Sequence, residues 1–183
     1  MPITKVSDFS LADFPADTTF LLDTNVLYFV HSGYYMPTNS KLQIYSNLLQ
    51  QLLTNGRKVA LSTLNVQELL YGIENKEYEL YLERTQQNRY ACTKKDYRRN
   101  VAERAKLFNK MKAMLTELLS TYECDDAVVE RAQIEGFANN LTTHHYDPID
   151  YVLVENYRQE DNVVFISDDK DFQTDGTINL ITA

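Results

Sequence analysis

The sequence predicts an α/β protein: a three-layer α/β/α sandwich with a mainly parallel central sheet and a helical insertion. Short apolar segments typical of buried strands alternate with longer segments of helical spacing, which favours a parallel sheet covered on both faces. Residues 76–122 contain few helix-breaking residues and predict the insertion. The 183 residues, 44% hydrophobic and 24% charged, show no repeat, low-complexity tract or linker. We therefore expect one domain over 1–183.

The amino-terminal part of the chain predicts two strands, each followed by a helix. Residues 19–22 (TFLL) are a short apolar run that ends at Asp23. Residues 41–54 carry apolar side chains at helical spacing, and an Asn-Gly pair ends that helix. A second strand is predicted at 58–61 (KVAL), and the next helix begins near 62–65.

The rest of the chain predicts the helical insertion and two further strand–helix alternations. The insertion at 76–122 is expected to be a helical hairpin bent around 90–96. Four elements are predicted after it: helices at 125–140 and 148–158, and strands at 163–166 and 178–182.

Several classes of protein are disfavoured by the sequence. No apolar run approaches a membrane span, since residues 20–30 are interrupted by Asp23 and Asn25. The amino terminus lacks the apolar core of a signal peptide. Cys92 and Cys124 match neither a zinc pattern nor a disulfide framework. We therefore expect a cytoplasmic protein that does not associate with membranes.

Charge is distributed unevenly along the chain. The formal net charge is −8, yet residues 84–112 hold ten basic and two acidic residues, a net +8 against −16 for the remainder. Such a basic stretch can bind phosphates on an otherwise acidic protein, and Lys94, Lys95, Arg98 and Arg99 are its candidate contacts. Equally, the stretch can be a solvated helix face.

Acidic residues follow two predicted strands. Asp23 ends the first strand, and Asp168 or Asp169 follows the strand VVFI. Open α/β sheets place their sites at these carboxyl ends. Glu68 and Asp150 lie near helix starts. Carboxylates gathered in this way repel one another unless cations neutralise them, and hard oxygen ligands suit Mg²⁺ or Mn²⁺.

Four segments, taken in order, resemble the motifs of the PIN-domain ribonuclease family. FLLDTN resembles the first motif, STLNVQELLYG the second and ISDDKDF the last, with Ser167 where the family usually has Thr. DYVLVENY resembles the third motif and begins at Asp150. The last motif aligns Asp169 with the family's metal-binding acid and Asp171 with its second acid.

The resemblance implies a metal-dependent endoribonuclease that hydrolyses RNA with metal-activated water. Its metal ligands would be Asp23, Glu68, Asp150 and Asp169, with Asp147 and Asp171 as further candidates. Thr24 and Ser167 would orient carboxylates or waters, and Asn25 would hold the turn after the strand. Candidate partners are RNA, an antitoxin-like protein and a second copy of the chain.

Each acid also has a structural interpretation. Asp23 can cap a helix beginning at Thr24, and Asn65 to Glu68 resembles a capping box. Asp147 before Pro148 fits a helix cap and competes with Asp150 as the third acid. The acids at 168, 169 and 171 can be turn residues.

Two other functions stay open. One is a catalytically silent PIN-like interaction module, and the other is a metal-dependent phosphoesterase acting on DNA or small phosphate esters. His144 and His145 precede the third motif, but no matching His or Cys completes a zinc site. We interpret both histidines as loop residues.

Overall fold

The computed structural model describes residues 3–139, 145–158, 160 and 162–183. The chain forms two compact units, one of Met1–Val66 with Tyr122–Ala183 and the other of Gln67–Thr121. The second unit begins earlier than the predicted start of the insertion at 76. Its end at Thr121 lies one residue before the predicted end.

The first unit contains a parallel sheet. The described residues form six strands: β1 (Ile3–Lys5), β2 (Thr19–Leu22), β3 (Lys58–Ser62), β4 (Glu123–Asp125), β5 (Val163–Ile166) and β6 (Asn179–Thr182). Their order is β1-β6-β5-β2-β3-β4, and every pairing among them is parallel. The mainly parallel sheet predicted from the sequence is confirmed, with its strands at 19–22, 58–61, 163–166 and 178–182.

The central strands bring two loops together. All four residues of β2 and all four of β5 are buried, which explains why both read as continuous apolar runs. The two strands pair in register from Thr19 opposite Val163 to Leu22 opposite Ile166. The residues that follow these strands, Asp23 and Ser167, therefore emerge side by side at the carboxyl edge of the sheet.

Helices of the first unit accompany the sheet, and with it they form the three-layer α/β/α fold. The described residues of both units form eight α-helices. They are α1 (Thr24–His31), α2 (Ser40–Thr54), α3 (Thr63–Thr85), α4 (Lys94–Arg99), α5 (Val101–Thr121), α6 (Arg131–Asn139), α7 (Pro148–Tyr157) and α8 (Lys170–Thr174). Short 3₁₀ helices cover Val6–Asp8 and Leu11–Asp13. One core cluster of the first unit joins Leu21 and Ala60 of the sheet to Leu153 of α7 and Phe172 of α8.

The region after residue 122 corrects one sequence-based prediction. Instead of a helix over 125–140, the chain forms β4 and then begins α6 only at Arg131; residue 140 lies outside the described residues. Cys124 pairs with Leu61 of β3, so the sheet recruits a polar segment as its edge strand. Val128 and Val129, which lie within the predicted helix, are 62% and 47% exposed.

The second unit is helical, as predicted. It contains most of α3 together with α4 and α5, and the predicted bend around 90–96 corresponds to the connection that ends at Thr93. Thr93 and Asp96 form a capping box at the start of α4. The buried Tyr78 hydroxyl donates to the Cys92 carbonyl at 2.5 Å, and the Tyr78 and Tyr97 rings lie 5.6 Å apart.

Two further expectations concerned the membrane and the cysteines. Within the described ranges, no helix combines the length and apolar character that a membrane crossing requires. Cys92 and Cys124 are both free thiols, the first buried and the second exposed.

Candidate functional site

Asp23 lies at the carboxyl end of β2 and is 4% exposed. One carboxylate oxygen, Oδ1, accepts from the Thr24 backbone N–H at 2.5 Å and so caps α1. The other, Oδ2, accepts from Asn25 Nδ2 at 2.6 Å and from Ser167 Oγ at 2.5 Å. The helix-cap interpretation of Asp23 is thus observed, while the remaining two donors tie the same carboxylate to the end of β5.

Asn25 and Ser167 link the loops after β2 and β5. Asn25 Nδ2 also donates to Ser167 Oγ at 3.3 Å, and Asn25 Oδ1 accepts from the Asp168 backbone N–H at 3.1 Å. Ser167 is fully buried, and its hydroxyl oxygen accepts from the Asp169 backbone N–H at 3.0 Å. Asn25 therefore holds two loops together, whereas the sequence predicted only that it holds its own turn.

The two consecutive acids after Ser167 have different surroundings. The Asp168 carboxylate forms an ion pair with Lys41 and accepts from the Tyr45 hydroxyl at 3.0 Å. Burial, with the nearby Asp168 carboxylate, raises the pKa of Tyr45 above its ordinary value, so Tyr45 stays a hydrogen-bond donor. Asp169 Oδ1 instead accepts from the Asp171 backbone N–H at 2.8 Å and caps α8. Asp168 is thus neutralised by a lysine, in contrast to Asp169.

Asp147 and Asp150 also have different environments, at the start of α7. The exposed Asp147 is the helix cap, and its Oδ1 accepts from the backbone N–H groups of Ile149 at 2.8 Å and Asp150 at 2.9 Å. Pro148 occupies the first helical position, as the sequence suggested. Asp150 lies half-buried in the first turn.

Asn65 is a buried residue beside the site that sequence reasoning did not select. Its Nδ2 donates to Thr24 Oγ1 at 3.1 Å, and Thr24 Oγ1 donates to the Asn65 backbone carbonyl at 3.5 Å. The capping box proposed for Asn65 to Glu68 is wrong, because α3 begins at Thr63 and Asn65 lies inside the helix. A buried polar residue four positions before the buried Leu69, on the same helix face, was the available signal.

Glu68 and the two histidines are the remaining residues that the sequence analysis considered for the site. Glu68 is a half-buried residue of α3 that belongs to the second unit, so its place among the metal ligands stays a prediction. His145 is an exposed residue before Tyr146, and His144 lies outside the described residues.

The donor set can be compared with what a divalent cation requires. In the part of the chain that the structure describes, no three His, Cys, Asp or Glu side chains are arranged to hold a metal ion. Mg²⁺, however, keeps several waters and binds through one or two carboxylates together with substrate phosphates. Asp23 and Asp169 are the two candidate carboxylates, and the Ser167 hydroxyl links the Asp23 carboxylate to the Asp169 backbone N–H. The buried Asp23 carboxylate and the buried Asn65 amide oxygen are hard donors of the kind that this cation prefers.

Most of the predicted nucleic-acid contacts form ion pairs within the second unit. Glu74 accepts from Arg98 Nε at 2.6 Å and Nη2 at 2.5 Å, and it pairs with Lys94 at 3.5 Å. Arg99 pairs with Asp96 at 3.7 Å. Lys95 is exposed, and the ion pairs of the described chain do not include it. Three glutamates of α3, Glu74, Glu77 and Glu79, thus offset part of the positive charge of 84–112.

Comparisons with known proteins address the fold. No known family model matches the sequence, and no curated protein matches it. Solved structures that resemble this one include a chain from the crystal structure of VapBC2 from Rickettsia felis bound to a DNA fragment from their promoter. The TM-score is 0.52 and the identity 16%, over 88% of this chain and 96% of that chain. At this identity the likeness supports the shared α/β/α architecture alone.

Proposed function

We propose that this protein is a metal-dependent nuclease that hydrolyses RNA with water activated by Mg²⁺ or Mn²⁺. The observation that carries the proposal is the buried Asp23 carboxylate, held by three donors where β2 and β5 end side by side. Three donors directed at one side chain suit an anion. This anion lies at the carboxyl edge of a parallel sheet, the place where α/β proteins have their functional sites.

The roles of the residues follow from their contacts and from the motifs. Asp23 and Asp169 would hold the cation, with Asp150 and Glu68 completing the set as the PIN-like motifs suggest. Asn25, Ser167 and the Thr24 backbone N–H position the Asp23 carboxylate by hydrogen bonds, and the Ser167 hydroxyl also accepts from the Asp169 backbone N–H. Asp147 and Asp171 are secondary, since Asp147 caps α7 and the Asp171 backbone N–H serves the cap of α8. When bound, the cation lowers the pKa of a coordinated water and stabilises charge on the phosphodiester.

The protein groups prepare the site before any substrate arrives. The Ser167 hydroxyl donates to Asp23 and accepts from the Asp169 backbone, so the two carboxylate-bearing loops cannot move independently. The Asp168 carboxylate is bound instead by Lys41 and Tyr45. We infer that the site is preorganised, which reduces the cost of fixing ligands when a cation binds.

The partners belong to the same proposal. The similar chain comes from VapBC2 bound to promoter DNA, and the motifs resemble those of the PIN-domain family. We therefore propose an antitoxin-like protein as a partner of this chain, with RNA as its substrate and the cytoplasm as its compartment. A second copy of the chain is the further candidate partner.

A silent interaction module is the second candidate function. The absence of a three-acid metal cluster among the described residues favours it. The two functions differ in their response to metal, because a ligand that binds only the folded state raises its melting temperature.

The test is a parallel assay of single-stranded RNA, DNA and a generic phosphate ester, each with Mg²⁺, Mn²⁺ or a chelator. Metal-dependent cleavage of RNA, lost in Asp23→Asn and kept in Asp147→Ala, is the expected result. Preferential cleavage of DNA or of the ester would replace the ribonuclease by a phosphoesterase. The silent module would be indicated by no cleavage and no metal-dependent change in melting temperature.

A further inference from the structure

Asn65 uses only half of its side-chain amide in contacts within the protein. The residue is 0% exposed, and its Nδ2 donates to Thr24 Oγ1 at 3.1 Å. No donor among the described residues reaches its Oδ1. Thr24 Oγ1 also lies 3.5 Å from the Asn65 backbone carbonyl, to which it donates. With Nδ2 directed at Thr24, Oδ1 is the half of the amide that is turned away from Thr24.

A polar side chain in this state is unfavourable for folding alone. Nearly all buried polar atoms have a hydrogen-bond partner, in the protein or in water. A buried acceptor without one loses more free energy than an ordinary hydrogen bond returns. Leu has almost the same size, would continue the apolar face that Leu69 and Ile73 form on α3, and would avoid this loss. The free energy of folding therefore favours an Asn65 amide oxygen that has a partner beyond the described residues.

The surroundings of Asn65 indicate the nature of that partner. Thr24, which the amide contacts, directly follows Asp23, and its backbone N–H donates to Asp23 Oδ1 at 2.5 Å. A single residue thus connects Asn65 to the buried carboxylate. An amide oxygen is a neutral acceptor that can face a hydrated cation without adding to the repulsion among carboxylates.

We propose that Asn65 is a positioning residue of the metal site. Its Nδ2 fixes the Thr24 hydroxyl, while its Oδ1 accepts a hydrogen bond from the hydrated divalent cation held by Asp23. This inference rests on the proposed function, since it assigns a residue to the same cation. It adds Asn65 to the site, a residue that is neither one of the four acids nor one of the supporting residues Thr24, Asn25 and Ser167.

Thr18 provides a matched control. Its hydroxyl is the other buried side-chain atom without a hydrogen-bond partner in the described ranges, and the residue is 1% exposed. It precedes β2, at the amino end of the strand, whereas Asp23 follows the carboxyl end. Thr18→Val therefore removes an equally buried oxygen at the opposite end of the same strand.

The experiment compares the wild type, Asn65→Leu, Asn65→Asp and Thr18→Val by thermal melting at increasing MgCl₂ and MnCl₂. The wild type and Thr18→Val should rise in melting temperature with the same metal midpoint. For Asn65→Leu the midpoint should move about tenfold higher, the usual effect of losing an outer partner of a bound metal. Asn65→Asp should melt lower without metal and regain more than the wild type when metal is added, because it keeps an oxygen and adds a charge.

The outcomes separate the inference from the function on which it rests. A wild-type midpoint in Asn65→Leu, with a clear response in the wild type, would overturn the role of Asn65 and leave the nuclease proposal standing. If Asn65→Leu does not fold, Asn65→Asp decides, and an unchanged midpoint in that variant would also overturn the role. No metal response in the wild type would overturn both.

Discussion

Asp23 caps a helix and joins the ends of two strands, and both roles require a side chain that accepts hydrogen bonds. Both of its carboxylate oxygens face donors, from Thr24, Asn25 and Ser167. An amide of the same size can accept through one oxygen only. The residue is therefore specified as an acid by its protein contacts, apart from any metal.

We predict that Asp23→Asn abolishes metal-dependent hydrolysis and lowers the free energy of unfolding by about 1–3 kcal/mol, because an NH₂ group then faces a donor. Denaturant unfolding without metal, followed by an RNA cleavage assay, measures both effects. Asp168→Asn is the matched control in the same region. It should retain activity, since the Asp168 carboxylate is already neutralised by Lys41. Equal losses of activity in the two variants would contradict the choice of Asp169 over Asp168.

The sequence predicted some residues of the candidate site and missed others. Asp23, Asn25 and Ser167 were selected from motifs, and the structure places them in one hydrogen-bonded group. The spacing of Asn65 from Leu69 marks it as a polar residue on an apolar helix face, but its role could not be predicted. That role depends on a contact with Thr24 across 41 positions and on a buried oxygen without a hydrogen-bond partner among the described residues. Residue type and spacing carry no information about either.

At the scale of elements, buried strands were predictable and edge strands were not. β2 and β5 are buried at every position, so their sequences are continuous apolar runs. β1 and β4 each have three residues, none of them buried, at the two edges of the sheet. A strand of this length, exposed on one side, has too few apolar side chains to produce a pattern. Its position is decided by the neighbouring strand.

The start of α7 allows the two competing acids to be separated. Asp147→Ala removes the helix cap and should lower the free energy of unfolding by about 1 kcal/mol while preserving metal affinity. Asp150→Ala should weaken metal binding with a smaller loss of stability, because Asp150 is not the cap. Calorimetric metal titration and denaturant unfolding of both variants provide the comparison. Greater metal loss in Asp147→Ala would reverse the assignment.

The pairing of α3 with α4 predicts a dependence on pH. Hydrogen bonds from Arg98, followed by the charges of Arg98 and Lys94, lower the pKa of Glu74 below its ordinary value of 4.5. A carboxyl group with a lowered pKa stabilises the fold above its unfolded-state pKa, and this contribution is lost as the pH falls through the folded-state pKa. We expect Glu74→Gln to lower the free energy of unfolding at pH 7 by about 1 kcal/mol, since Arg98 is partly exposed and its pairing is screened.

Denaturant unfolding at neutral and acidic pH measures this effect. The difference between the wild type and Glu74→Gln should narrow as the pH falls below 4.5, where the unfolded chain becomes protonated at Glu74, and should be lost below the lowered folded-state pKa. Glu79→Gln is the control, because the Glu79–Arg89 pair is exposed on both sides and should contribute less. A difference that is the same at both pH values would show that Glu74 acts through packing.

At the scale of the whole molecule, charge is divided between the two units. Residues 67–121 contain eleven basic and eight acidic residues, a net +3, whereas the rest of the chain is −11. The local value of +8 for 84–112 overstated the positive charge of this unit, because four glutamates between residues 74 and 83 precede that stretch and three of them form ion pairs with it. Lys95, Arg104 and Lys112 are exposed basic residues outside the ion pairs of the described chain.

We predict that replacing Lys95, Arg104 and Lys112 with Gln weakens RNA binding. The slope of log affinity against log salt should become shallower by up to about 2, since each lost contact with a single-stranded phosphate removes about 0.7. The matched control is Arg99→Gln with Lys106→Gln, two exposed residues already paired with acids. Fluorescence anisotropy across a salt series measures both. An unchanged slope in the triple variant would show that Lys95, Arg104 and Lys112 have no role in RNA binding.

The strand order also determines when the site can exist during synthesis. Asp23 is made early, but its strand pairs with β5, and the Ser167 that completes its hydrogen bonds is 144 residues further along. β6, the partner of the amino-terminal β1, is made later still. A growing chain on the ribosome therefore lacks both the centre of the sheet and the proposed hydrolytic site until residues after Val163 have emerged. The proposed site therefore cannot act on the chain's own messenger RNA until translation of this segment is complete.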